Sequence, residues 1–204
     1  MNLILYIDFM RFEDLQDEDV AKIARNLLGS NIVRYENNEE RLVGKIVETE
    51  AYHQSDPATH AHRGKTNRNK VMFDGAGNAY VYFIYGMHYC FNIVTGPEDE
   101  AAAVLIRAVE PIEGIATMQA RRKTKNRQNL CSGPAKFTQA FGIDLNFNYH
   151  DLTKPPLELE PKTPLSKANT TAVTRIGISQ NKEELWRFYV KDSPFISKKT
   201  INSL

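Results

Sequence analysis

Glu48-Thr49-Glu50-Ala51-Tyr52 closes a run from Leu42 to Tyr52 in which side-chain character alternates residue by residue. Alternation with period 2 predicts a β-strand, with Ile46, Glu48, Glu50 and Tyr52 on one face and Val43, Lys45, Val47 and Thr49 on the other. Glu50 and Tyr52 then project the same way, about 7 Å apart along the strand. Alternating carboxylates usually belong to a solvated sheet face. The alternative is a site that combines acid/base chemistry with a flat stacking surface.

The aromatic run Tyr80-Val81-Tyr82-Phe83-Ile84-Tyr85-Gly86 favours that alternative. Tyr80 to Ile84 and His88 to Val94 read as strands joined around Gly86, and Ala102 to Val109 as a further strand. Tyr80 and Tyr82 share a face while Tyr85 falls at the turn, although aromatic stripes in strands are most often core. Adjacent strands without a repeating βαβ pattern imply an antiparallel or mixed sheet flanked by helices, an α+β fold in a single domain spanning residues 1–204.

Before the first strand, Asp17-Glu18-Asp19 leads into Val20, Ile23, Ala24, Leu27 and Leu28, the spacing of a core-facing helix that Gly29 ends. Pro111-Ile112-Glu113-Gly114 predicts the opening of a second helix ending in the basic run Arg121 to Arg127. Ser132 reads as the cap, and Pro134 as the first turn, of a third. Thr153 to Pro164 reads as a Pro-rich surface segment, and Arg175 to Ser179 and Leu185 to Val190 as closing strands. The polar segment His53 to Gly77 is long for a connection, and such loops often carry function.

Composition sets outer limits. The 204 residues carry 26 basic and 25 acidic side chains, so any nucleic-acid surface must come from local clustering. Arg63, Thr66, Asn67, Arg68, Asn69 and Lys70 form one such cluster of phosphate-gripping residue types; the run Arg121 to Arg127 is more usually a solvated helix end. Two cysteines, Cys90 and Cys131, argue against a disulfide framework and fit a reducing, intracellular setting. The apolar start Met1 to Ile7 lacks the charged region and cleavage site of a signal peptide, and no run is long enough to span a bilayer. His60-Ala61-His62 and His88-Tyr89-Cys90 have side-chain types that bind zinc, but no established zinc signature accompanies them.

The ordered set Glu48-Thr49-Glu50-Ala51-Tyr52, Asp56-Pro57-Ala58-Thr59-His60-Ala61, Thr66-Asn67-Arg68-Asn69, Tyr80-Val81-Tyr82, Tyr85-Gly86-Met87-His88, Cys90-Phe91-Asn92 and Leu105-Ile106-Arg107-Ala108-Val109-Glu110-Pro111 closely resembles the alkyladenine, or 3-methyladenine, DNA glycosylase family. Leu130-Cys131-Ser132-Gly133-Pro134-Ala135-Lys136, Arg175-Ile176-Gly177-Ile178 and Trp186-Arg187-Phe188-Tyr189 extend the resemblance over nearly the whole chain. It implies a mixed α/β domain with a curved antiparallel sheet and a monofunctional base-excision repair enzyme. Glu50 becomes the general base, aided by a carbonyl of a neighbouring strand, and Arg107 helps hold the water. Tyr52, His60 and Tyr82 enclose the flipped base, Asn92 forms the pocket floor that disfavours guanine, and Tyr85 fills the gap in the DNA stack.

Arg63, Thr66, Arg68, Asn69 and Lys136 are the expected contacts to the DNA backbone. The resemblance further implies damaged double-stranded DNA as partner, action as a monomer, no membrane, and neither metal nor organic cofactor. It also implies a location with the genome: cytoplasm and nucleoid in a bacterium, nucleus in a eukaryote. A damage-binding module without catalysis and a metal-dependent hydrolase built on His60, His62, His88 and Cys90 are the competing classes.

Overall fold

The computed structural model describes residues 19–36 and 40–197, so the apolar stretch at Met1 to Ile7, with Asp17 and Glu18, lies outside the described residues. Helix α1 (Val20–Asn26) is opened by Asp19, whose carboxylate accepts from the backbone N–H of Ala21 and Lys22. It is followed by β1 (Asn31–Tyr35) and the long β2 (Arg41–His53), then by β3 (Ala79–Ile84), β4 (His88–Val94) and β5 (Ala102–Glu113). Helices α2 (Ile115–Arg122) and α3 (Pro134–Phe141) precede the short strands β6 (Leu157–Glu160), β7 (Thr170–Val173) and β8 (Arg187–Val190).

All pairings are antiparallel, in the order β3-β4-β5-β2-β1-β6, with β8 joined to β2 and β7. The sheet is curled, as the α+β expectation has it. Strand β2 is the hub. One edge pairs with β5 along most of its length, while the other pairs first with β1 and then, from Glu48 to Glu50, with β8. The main core lies between the sheet and the helices, where Ile23 of α1, Leu27 at its C-terminal cap, Met118 of α2 and Phe137 and Phe141 of α3 meet Ile46, Ala51, Val104 and Val109.

The strict alternation read along β2 fails at one residue. Ile46 pairs with Val109 and Glu48 with Ala108, which leaves Val47 as an extra residue on β2; Thr49 then pairs with Ile106, which leaves Arg107 as an extra residue on β5. These are two compensating β-bulges, and each makes consecutive side chains share a face. Ile46 therefore joins Ala51 in the helix-side core, with Thr49 bonded to the Ala24 carbonyl. Val47 instead packs with Ala108 and Phe195 on the opposite side, the side of Glu48 and Glu50. The expected faces of Glu48, Glu50, Tyr52 and Thr49 are correct, and those of Ile46 and Val47 are reversed.

Other boundaries shift for identifiable reasons. Strand β5 runs through Pro111, which pairs with Gly44 beside a register shift, a position where a proline costs no ladder bond; α2 begins only after Gly114. Gly133, not Ser132, occupies the cap of α3, with Pro134 in the first turn as read. The segment Thr153 to Pro164 contains β6, whose Leu157 and Leu159 are buried. Arg175 to Ser179 is irregular, and the strand lies upstream at Thr170–Val173.

The long segment after β2 is tied down at both ends. Asn69 accepts from the Thr66 N–H at 2.6 Å and donates to the carbonyls of His60 and Gly64, while Val71, Met72 and Phe73 pack with Ala61 and Tyr80 in a second small core. Near its start, the buried Asp56 pairs with Arg175 at 2.5 Å and accepts from Asn181 at 3.0 Å; Arg175 also donates to the Ala51 carbonyl. Burial opposes ionisation of Asp56, but Arg175, the Ala58 N–H and Asn181 together hold its carboxyl below the usual aspartate range.

Two stability outcomes follow from this packing. A Cβ at Gly44 would lie 2.7 Å from Val109 Cγ2 and 2.8 Å from Phe141 Cζ, so Gly44→Ala should destabilise by about 1–3 kcal/mol in urea unfolding. Asp56→Asn leaves Arg175 buried without its counter-ion and should cost about 3–5 kcal/mol at neutral pH. Because the folded pKa of Asp56 is depressed, its contribution is full above the ordinary aspartate pKa and is lost as pH falls through the folded value. The stability gap between wild type and Asp56→Asn should therefore hold steady from about pH 8 to 5 and close on further acidification.

Candidate active site

A lone arginine in the apolar run Ala102 to Val109 and two glutamates in β2 have to be paired if they are buried. Glu48 and Glu50 are fully buried and Arg107 nearly so, which excludes the solvated-face reading. The β5 bulge at Arg107 places its guanidinium between the two carboxylates, with Nε 3.1 Å from Glu48 Oε1 and Nη1 3.1 Å from Glu50 Oε1. Burial works against the charged guanidinium, but Glu50 and Glu48 outweigh it and raise the Arg107 pKa.

The two carboxylates have different surroundings. Glu48 accepts from Arg187 Nε of β8 at 2.7 Å, from Ser197 Oγ at 2.8 Å and from the Ser197 N–H at 2.5 Å, besides Arg107. Glu50 receives the Ile176 N–H at 2.8 Å on Oε1, together with Arg107, and the Tyr52 hydroxyl at 2.8 Å on Oε2. A carboxylate offers about four lone-pair positions. Among the described residues, one position of Glu50 is left open, on Oε2.

Glu50 lines a cavity of about 290 Å³ whose wall also includes Tyr52, His60, Tyr82, Tyr85, Asn92 and Arg107, whereas Glu48 lies outside it. All seven of the base-handling residues expected from the resemblance are thus brought together. Tyr80 and Tyr82 lie 5.3 Å apart between ring centroids, and His60 meets Tyr82 edge-on at 4.7 Å. His60 Nδ1 is 3.0 Å from the Tyr80 hydroxyl. Arg175 lies over Tyr52 at 4.8 Å and Arg68 over Tyr82 at 5.2 Å, so a cation backs each of these two rings.

Burial keeps these groups neutral. It pushes Tyr80 up to about 12 and raises Tyr52 and Tyr82 further, with the neighbouring Glu50 adding to the shift of Tyr52. Burial, then the charge of Arg68, lowers the His60 pKa, so its imidazole is neutral at pH 7. Asn92, nearly buried, donates its amide to the Tyr80 carbonyl at 3.0 Å.

Tyr85 sits at the tip of the β3–β4 hairpin, with φ +54° followed by Gly86 at φ +71° and the Met87 N–H directed at the Ile84 carbonyl. Two successive positive φ values are those of a type I′ turn, which suits the twist of a hairpin. Tyr85 is 81% exposed while still lining the cavity mouth.

The five residues expected at the DNA backbone divide. Arg63 and Thr66 line a cleft that shares Thr59 and His60 with the cavity wall. Lys136 lies two residues beyond Pro134, a lining residue, with its ammonium beside Asn129 and Ser132. Arg68 is exposed beside Tyr82. Asn69 is buried and its amide is spent inside the loop.

The basic run around α2 is largely committed to the fold. Arg121 pairs with Glu36, Arg122 donates to the Leu130 carbonyl and Arg127 to the Pro111 carbonyl. His60, His62, His88 and Cys90 do not converge: among the described residues no three His, Cys, Asp or Glu side chains could hold a metal ion together. Cys90 instead lines the cavity.

Several participants had no assigned role in the sequence reading. Arg187 and Glu48 each carried a signal, an arginine between aromatic residues and a carboxylate in the opening motif, but nothing in the sequence paired them. The Ile176 N–H and Ser197 carried none, because backbone donors and chain-distant contacts leave no local pattern.

Comparison with known proteins shows the family. The model of the methylpurine-DNA glycosylase family matches residues 14–194. A protein of Carboxydothermus hydrogenoformans named "Putative 3-methyladenine DNA glycosylase" is 53% identical over 182 residues, covering 89% of this chain and 95% of the relative. Proteins of the same name from Methanoculleus marisnigri and Francisella tularensis are 46% and 47% identical, covering 90% and 86% of this chain and 96% and 92% of the relatives. Over most of its length, therefore, the chain belongs to the methylpurine-DNA glycosylase family.

Proposed function

We propose that this DNA glycosylase extrudes alkylated or deaminated purines from duplex DNA and hydrolyses their N-glycosidic bond with a water activated by Glu50, leaving an abasic site. The substrates are of the 3-methyladenine, 7-methylguanine, hypoxanthine and ethenoadenine class, and the enzyme acts as a monomer. The observation that carries this reading is the open acceptor position on Glu50 Oε2 inside an aromatic-walled cavity.

A base in a duplex hides its glycosidic bond, and extruding it costs roughly a few kcal/mol. Tyr85, held outward on a stiff turn, enters the vacated space and offsets part of that cost. The extruded base enters between Tyr52 and the His60–Tyr82 wall, where stacking contributes roughly 1–3 kcal/mol. Because the rings stay neutral, their faces favour a cationic alkylated purine. The Asn92 amide on the floor meets the exocyclic amino group of guanine donor to donor, which disfavours guanine.

Water then attacks the anomeric carbon, Glu50 Oε2 takes its proton, and the carboxylate charge stabilises the positive sugar of the transition state. Arg107, already bonded to Oε1, fixes the carboxylate plane and helps hold the water. No lysine lines the cavity among the described residues, which supports water as the nucleophile over an amine forming a Schiff base. Arg63, Thr66, Arg68 and Lys136 supply phosphate contacts at the rim.

Purified protein should release free damaged base from duplex oligonucleotides in the presence of a chelator. Glu50→Gln should slow single-turnover excision by about 10²- to 10⁴-fold while lesion binding in a gel shift persists; wild-type turnover by that variant removes Glu50 from its role. Tyr85→Ala should weaken lesion-DNA binding by about tenfold while excision from single-stranded substrate is less affected, since no vacancy in a stack then needs filling.

A further inference from the structure

Glu48 and the C-terminal segment are bound to the reacting centre without touching the cavity. Arg107 is held at three points: Nε by Glu48 Oε1 at 3.1 Å, Nη2 by Ser197 Oγ at 3.4 Å and Nη1 by Glu50 Oε1 at 3.1 Å. A guanidinium is planar, so fixing Nε and Nη2 sets the plane in which Nη1 meets Glu50. Ser197 is also bonded twice to Glu48, and Phe195 packs on Val47 and Ala108 at the two bulges. Ser197 lies beyond residues 14–194 that match the family model.

We propose that Glu48 is a positioning residue that sets the orientation of Arg107 toward Glu50, and that Ser197 locks it in place. The inference rests on the assignment of Glu50 as the base. Glu50 faces Arg107 from β5, Tyr52 on its own strand, Tyr82 from β3, Cys90 from β4, Arg187 at the paired position of β8 and the Arg175–Ile176 segment. Burial keeps Tyr52, Tyr82 and Cys90 protonated, and Asp56 neutralises Arg175. Among the described residues, Arg107 is the cation paired with Glu50. Without Glu48, Arg107 loses the acceptor that fixes Nε, and Nη1 no longer meets Glu50 Oε1 in a set plane.

The test is single-turnover excision of 7-methylguanine from a duplex oligonucleotide at saturating enzyme, with lesion binding followed separately by gel shift. This base is already cationic and needs no protonation to leave, so the rate constant reports the groups that hold and activate the water. Glu48→Gln is expected to bind lesion DNA as wild type does and to lose about tenfold or more in rate constant at unchanged amplitude. Ser197→Ala, which deletes one oxygen, should lower the rate constant by a smaller amount. It decides alone if Glu48→Gln does not fold, as judged by circular dichroism.

A purely structural role for Glu48 would lower the amplitude, which reports the active fraction, and leave the rate constant at the wild-type value; that result overturns the proposal. So do wild-type rate constants in both variants while Glu50→Gln is inactive. Wild-type excision by Glu50→Gln overturns the base assignment itself, and this inference with it.

Discussion

Four charges buried in the middle of a β-sheet are the constraint on which the rest of this molecule depends. Each such ion forfeits several kcal/mol of hydration on folding, and only close, multiple pairing offsets the loss. Glu48, Glu50, Arg107 and Arg187 meet that condition because they alternate in sign and share partners at 2.7–3.1 Å. A regular antiparallel ladder cannot present them this way, since Arg107 and Ala108 must both face the site side while Ile106 and Val109 stay in the helix-side core. The bulge at Arg107 achieves this, and the matching bulge at Val47 restores the register so that Glu50 and Tyr52 remain aligned with Leu105 and Ala103.

The same requirement recruits distant parts of the chain. The second acceptor position of Glu50 Oε1 is filled by the Ile176 backbone, and Oε2 of Glu48 by the Ser197 backbone. Both contacts rigidify the carboxylates and require their segments to be fixed. The Asp56–Arg175 pair does this for the first, anchoring the irregular segment 174–181 to the end of β2 and placing a guanidinium on the ring of Tyr52. Cavity floor and wall are therefore one electrostatic unit: ionised groups below, and rings kept neutral by burial above.

Of the strands that build the cavity, β3 and β4 were legible because their periodicity is unbroken. Tyr80 and Tyr82 on one face of β3 and the hairpin around Gly86 needed no tertiary information, and the apolar run of β5 marked it as a strand without showing its bulge. Periodicity failed where the backbone departs from it. Counting by twos through Val47 placed Ile46 beside Glu48, and Pro111 read as a helix start because its pairing with Gly44 next to a register shift was invisible. The side chain of Asn69, a surface residue by composition, is consumed by the loop it organises. Basic residues near α2 looked alike in sequence and differ in three dimensions by whether a carbonyl or carboxylate lies within reach.

The distinction between Glu48 and Glu50 shows what coordinates add to a pattern. Both have the same face, burial and central guanidinium, and alternation treats them as equivalent. They differ in their donors and in access. Glu48 accepts from two arginines and from both the hydroxyl and the amide of Ser197, and it does not border the cavity. Glu50 accepts from one arginine, one amide and one hydroxyl, and its remaining lone pair opens onto the cavity. A carboxylate walled off from the cavity can orient and neutralise its arginines but does not meet a water lying beside the base. The proposed division between base and support thus follows from access to the cavity, and substitution of either residue tests a different part of the same reaction.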